Sequence, residues 1–111
     1  MSHSNRIISN TELDLSGTVY GTSPVQAEGT VNGHSFYFRA RHDEWTFSIS
    51  ENSEIDPVDI QTIEAGKKHG FFKEGEYGQN GAESASYMDF KVAEKIILDN
   101  CTEYKTFANK A

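Results

Sequence analysis

Asn32-Gly33 stands between two runs in which apolar and polar residues alternate, Val25 to Val31 before it and His34 to Arg41 after it. Alternation at period two is the signature of a strand with one buried face. Asn-Gly suits the two-residue type I′ turn, which needs positive φ at both central positions. Closing the turn there sets Val31 opposite His34, Ala27 opposite Phe38 and Val25 opposite Ala40. Phe36, Phe38 and Ala40 then share a face with Val25 and Ala27. A slip of one residue would turn every one of these side chains to the other face, so turn chemistry and hydrophobic pattern fix the same register.

The same grammar continues on both sides. Upstream, Leu13, Leu15, Gly17 and Val19 alternate with Asp14, Ser16, Thr18 and Tyr20, and Gly21-Thr22-Ser23-Pro24 supplies a turn. Downstream, Trp45, Phe47 and Ile49 alternate with Thr46, Ser48 and Ser50. A second two-residue turn is expected at Asp43-Glu44, which sets Phe47 opposite Ala40 and Ile49 opposite Phe38. Residues 1–10 read as a loose end with only Ile7 and Ile8 to bury. Four strands thus give one aromatic face and one polar face.

After Ser50 the pattern changes. Asp56, Pro57 and Gly66 fit the N-cap, first-turn and C-terminal stop of one short helix, with Ile55 and Ile60 as a hydrophobic staple; a strand over residues 58–63 is the rival reading. Phe71-Phe72 opens a further extended piece, and residues 75–81, GEYGQNG, form a glycine-rich loop. From Asp89 onward, Phe90, Ala93, Ile97, Cys101, Tyr104 and Ala108 recur at three- and four-residue steps. Ile96 and Phe107 widen the stripe, and the sequence predicts a helix over residues 89–108 with Asp89 as its cap. The fold class is α+β: an antiparallel β-meander of four or more strands packed against a C-terminal α-helix, one domain over residues 1–111. Seven Phe, five Tyr and one Trp make rings the main core material, with Phe36, Phe38, Trp45, Phe47, Ile97 and Tyr104 expected inside.

Charge restricts the partners. The formal net charge is −7, which disfavours direct binding to nucleic acid and to anionic membrane surfaces, both of which reward Lys and Arg. Glu51, Glu54, Asp56, Asp59 and Glu64 place five acids in residues 51–64 with no base among them. This segment is either a solvated acidic loop or a docking surface for a basic protein. Cys101 is the one cysteine, so the chain forms no internal disulfide. The opening residues lack a signal-peptide apolar core, and no run approaches a membrane span; a cytoplasmic location is expected.

Few residues suggest chemistry. On the polar sheet face the expected register puts Gln26, Arg39 and Ser48 in one row and Glu28, Tyr37 and Ser50 in the next, with Arg41 and Thr46 extending the patch and Thr18 and Tyr20 at its flank. An Arg beside Tyr and hydroxyls suits an anionic small molecule; an ordinary wet face on which Arg39 and Glu28 neutralise each other is the plainer alternative. His3, His34, His42 and His69 lack metal-ligand spacing, so no metal site is expected, and no cofactor is implied. Cys101 lies in the apolar stripe of the last helix and reads as a core thiol. The glycine-rich loop lacks the Lys-Ser/Thr ending of a P-loop and has Glu74 and Glu76 beside it. No catalytic constellation emerges. The reading is a non-enzymatic protein-binding domain, an acidic inhibitor, immunity or regulatory protein docking on a basic surface through residues 51–64. The alternative is an anionic-ligand or catalytic site around Arg39 with Tyr37, Arg41, Gln26 and Ser48, favoured if residues 66–83 close over the polar face.

Overall fold

The computed structural model describes residues 5–21, 24–60, 62–77 and 88–110. Strands β1 (Arg6–Asn10), β2 (Leu15–Tyr20), β3 (Val25–Val31), β4 (His34–Arg41), β5 (Glu44–Ser50) and β6 (Gly70–Glu76) form one antiparallel sheet whose spatial order is their sequence order. A 3₁₀ turn (Pro57–Asp59) and helix α1 (Ile63–His69) lie between β5 and β6, and helix α2 (Phe90–Lys110) follows. The architecture is the α+β meander with a C-terminal helix that the alternation predicts, enlarged by two strands.

The Asn32-Gly33 hairpin has the expected register, with φ of 55° and 81° at its two central residues. The next hairpin differs. Its turn is His42-Asp43, so Arg41 opposes Glu44, Ala40 opposes Trp45 and Phe38 opposes Phe47. Moving a turn by one residue shifts the pairing by two, which leaves every side chain on its original face, so alternation cannot separate the two registers. His42 takes the positive φ of 58°, the charges of Arg41 and Glu44 face each other, and the Asp43 carbonyl accepts a hydrogen bond from Tyr77 N at 2.7 Å. On the polar face this puts Thr46, rather than Ser48, beside Arg39, with Ser48 beside Tyr37 and Ser50 beside Ser35.

The expected loose end is corrected over residues 6–10, which pair with β2. Asn10 Oδ1 accepts from Leu13 N, Asp14 N donates to the Thr11 carbonyl, and Asp14 adopts a φ of 52° to close the turn. Ile8 is 1% exposed and Ile7 is 81% exposed, as adjacent residues on a half-covered strand must be. Arg6 Nε donates to Glu94 Oε1 at 2.7 Å and ties β1 to α2.

The core is a layer of rings. Ile8, Gly17, Gly29, Phe36, Ile49 and Phe71 occupy one cross-strand row. The two glycines leave room for the Phe36 ring: a Cβ on Gly17 would lie 2.8 Å from Phe36 Cζ, and one on Gly29 would lie 2.9 Å from Phe36 Cε2. Phe36 packs on Phe47, Phe47 on Phe71 and Phe71 on Tyr104, with centroid separations of 5.6, 6.3 and 5.6 Å. The last contact delivers α2, whose Ala93, Ile97, Cys101 and Tyr104 are buried. A fully buried side chain of the size of Ile97 contributes about 1.5–3 kcal/mol of transfer free energy. Trp45, expected inside, is half-buried, stacked on Phe38 at the sheet margin. Asp89 Oδ1 accepts from Lys91 N at 2.7 Å and caps α2 as expected. The Phe107 and Ala108 side chains, turn residues 22–23 and loop residues 78–81 lie outside the described residues, as does His3.

The single helix expected between Asp56 and Gly66 is two pieces. Asp56 does cap, accepting from Val58 N, but only for the 3₁₀ turn. Thr62 then caps α1 by accepting from Ala65 N, and α1 continues through Gly66 to stop at Gly70. Gly66 serves close packing instead of termination: a Cβ there would lie 2.6 Å from Phe72 N.

Candidate functional site

Residues 51–60 and 62–64 form a lobe on the sheet. Asn52 Oδ1 accepts from Glu54 N, Ser50 Oγ donates to the Asn52 carbonyl, and the 3₁₀ turn packs on β4 and β5. Ser48 Oγ donates to the Pro57 carbonyl, and Ile60 is fully buried yet outside the main core. The lobe is therefore pinned to the sheet by a hydrogen bond and a satellite apolar contact. Glu51, Glu54, Asp56, Asp59 and Glu64 are all exposed on it. The ion pairs among the described residues are Arg6–Glu94, Lys73–Glu103 and Lys95–Asp99, so none of the five is matched to a cation there. Glu51 accepts a hydrogen bond from the Tyr104 hydroxyl, and burial, followed by the Glu51 carboxylate, pushes the Tyr104 pKa up. Sequence reasoning misses two features of the lobe: Val58 and Ile63 are 46% and 60% exposed, two of the three exposed large apolar side chains among the described residues. The Pro57 and Ile63 spacing conceals this, since it suggests one amphipathic helix where the chain makes two short turns.

The polar sheet face is not the wet surface that alternation predicts along its whole width. Ser48 is fully buried and Ser50 nearly so, because the lobe returns over them. Among the described residues, the segment before α1 covers this end; residues 78–83 lie outside the described set. Further across, Tyr37 Oη donates to Gln26 Oε1 at 2.7 Å and the Tyr20 hydroxyl donates to Glu28. Glu28 is thus engaged by Tyr20, not by Arg39. Burial raises the Tyr37 pKa, Arg39 opposes the shift, and Glu28 and Asp56 reinforce it. Burial and then Glu28 raise that of Tyr20. Arg39 Nε is buried without a hydrogen-bond partner. In register, Arg39 and Thr46 lead to Glu74, and Arg41 opposes Glu44, which opposes Glu76. The structure gathers Gln26, Tyr37 and Arg39 as expected and places Ser48 beneath the lobe; Arg39 lies between Gln26 and Thr46, and Glu44 faces Arg41.

A groove of about 590 Å³ opens at the β6 edge between α1 and α2. Gly66, Gly70, Ile63, Phe71, Phe72 and Tyr104 line it. Lys67, Lys73, Glu51 and Glu103 lie around its rim, where Lys73 Nζ donates to Glu103 Oε2 at 2.9 Å. Nothing in the linear pattern announces this groove, since it depends on α1 and α2 meeting the same strand edge.

Cys101 is buried in the core, where desolvation pushes its thiol up to about 12, far from a reactive thiolate. Among the described residues no group of three or more His, Cys, Asp or Glu could hold a metal ion, and no helix is long and apolar enough to cross a membrane. No family model, characterised protein or solved structure matches the chain.

Proposed function

We propose that this chain is a non-enzymatic protein-binding domain of the inhibitor, immunity or regulatory kind, and that it docks on a basic surface of another protein through residues 51–64. One observation carries the reading: five exposed carboxylates without a cation partner among the described residues share one lobe with the exposed apolar Val58 and Ile63. A lobe held in place loses little conformational freedom on binding, and unmatched charge raises encounter rates with a cationic partner. Carboxylates so presented can also occupy a groove that a partner uses for phosphates. The lone cysteine accords with a cytoplasmic setting. The anionic-ligand alternative at Arg39 has less support, because Tyr37 and Tyr20 direct their hydroxyls to Gln26 and Glu28 and a carboxylate, Glu44, faces Arg41.

The test is affinity isolation from the source cells with the wild-type chain and with a Glu54→Gln/Asp59→Asn variant, whose two side chains make no contact that the fold needs. Basic proteins should be recovered by the first and lost by the second. The same proteins on both columns would remove the acidic lobe from the interface.

A further inference from the structure

We infer that the groove between α1, β6 and α2 receives an apolar side chain from a basic amphipathic segment of the partner whose cations rest on the acidic lobe. The inference deepens the proposed acidic interface and rests on it. Ile63 joins the two surfaces: it ends the lobe, stands 60% exposed, and lines the groove with Phe71, Phe72 and Tyr104. A volume of about 590 Å³ exceeds what one aliphatic or aromatic side chain fills, so a side chain of either kind has room to enter.

The mode of entry follows from the β6 edge. Glu51 N donates to the His69 carbonyl at one end of the β5–β6 ladder, and Tyr77 N donates to the Asp43 carbonyl at the other. Antiparallel bonding alternates between these ends, so Phe72, Glu74 and Glu76 turn their backbone groups outward. At Phe72 that outward edge is already covered, because Gly66 of α1 packs against Phe72 N. A partner strand cannot extend the sheet there. The groove between two helices, lined by Ile63, Phe71 and Phe72, instead suits side chains projecting from one face of an amphipathic segment.

Charge selects the class of segment. Around the rim, Lys73 is held by Glu103 and Glu51 by Tyr104, and Lys67 is exposed with no ion pair among the described residues, so the rim itself is not acidic. The excess charge comes from Glu54, Asp59 and Glu64 on the adjoining lobe, so an occupant needs cations on the side facing Val58 and apolar residues on the side facing Phe71.

Three synthetic peptides about 15 residues long, near the lower limit for a stable isolated helix, make the test: a Leu/Lys amphipathic peptide, a Lys/Gln peptide of equal charge, and an uncharged Leu/Gln peptide. Calorimetry and ¹H–¹⁵N shift mapping on the full chain should find the Leu/Lys peptide bound about tenfold more tightly than Lys/Gln, a difference of about 1.4 kcal/mol. Its additional shifts should fall on Ile63, Gly66, Phe71 and Phe72. Ile63→Ser, at an exposed site, should reduce Leu/Lys affinity to that of Lys/Gln and leave Lys/Gln binding unchanged. Equal affinity for both cationic peptides, with shifts confined to the lobe, would overturn the groove and spare the acidic interface. Leu/Gln binding as tightly as Leu/Lys would overturn the choice of a basic occupant. Binding of neither cationic peptide would overturn the interface and the groove together.

Discussion

Replacing Phe38 by Ala tests the sheet register and the core at once. Phe38 is fully buried, faces Ala27 on one side and Phe47 on the other, and stacks on Trp45 with ring centroids 6.3 Å apart. Removing a buried ring costs about 3–5 kcal/mol, the transfer free energy of the lost atoms plus the cavity left behind. The backbone on both sides is paired, so the gap has little freedom to close, and the upper half of that range is expected. With a urea m-value of about 2 kcal/mol/M for a small protein, the unfolding midpoint should fall by about 2 M. This is a large share of the 5–15 kcal/mol typical of a folded domain. Ile7 and Ile8 supply an internal control on β1. Ile8→Ala should cost about 2–5 kcal/mol and Ile7→Ala less than about 0.5 kcal/mol. A loss below about 1 kcal/mol for Phe38→Ala, or equal losses at Ile7 and Ile8, would refute the assignment of faces.

Gly29→Ala should destabilise by about 1–3 kcal/mol in the same titration, since its Cβ would meet Ser16 O at 2.1 Å and the Phe36 ring at 2.9 Å. Asp56→Ala should cost about 0.5–2 kcal/mol through loss of the acceptor for Val58 N, whereas Glu54→Gln should leave the midpoint unchanged. Thiol reagents at pH 8 should modify native Cys101 about a thousandfold more slowly than an ordinary thiol, because burial pushes its pKa from 9.0 to about 12. The folded state favours the neutral thiol, so its contribution to stability is complete below pH 9 and is lost as the pH rises toward 12. Cys101→Ala should therefore show a shallower alkaline loss of stability; an unchanged slope would contradict the shift.

Much of the fold is legible because alternation and turn chemistry act locally. Asn32-Gly33 specifies its own turn, and the parity of Val25, Ala27, Phe36 and Phe38 confirms it. His42-Asp43-Glu44 offers two turns of equal parity, so only the tertiary partners Arg41–Glu44 and Asp43–Tyr77 decide. β1 escapes detection because it is short and polar, and only its ladder to β2 and the Arg6–Glu94 pair reveal it. The stop assigned to Gly66 fails for a different reason: a glycine needed for close approach to Phe72 looks, in sequence, like a helix terminator. The acidic lobe is legible as charge alone. Its anchoring through Ser48 and Ile60, its exposed Val58 and Ile63, and the groove beside it depend on how the chain returns over the sheet.

Association kinetics with a basic partner recovered on the wild-type column test whether residues 51–64 are the docking surface. Stopped-flow rates measured across a salt series compare the wild type with Glu54→Gln/Asp59→Asn. The Debye length contracts from about 10 Å at 0.1 M salt to about 3 Å at 1 M, so steering by exposed carboxylates fades over that range. The wild-type rate should fall steeply with added salt, and the variant should associate more slowly and with a shallower slope. Equal rates and equal slopes for the two proteins would contradict the assignment of residues 51–64 as the docking surface.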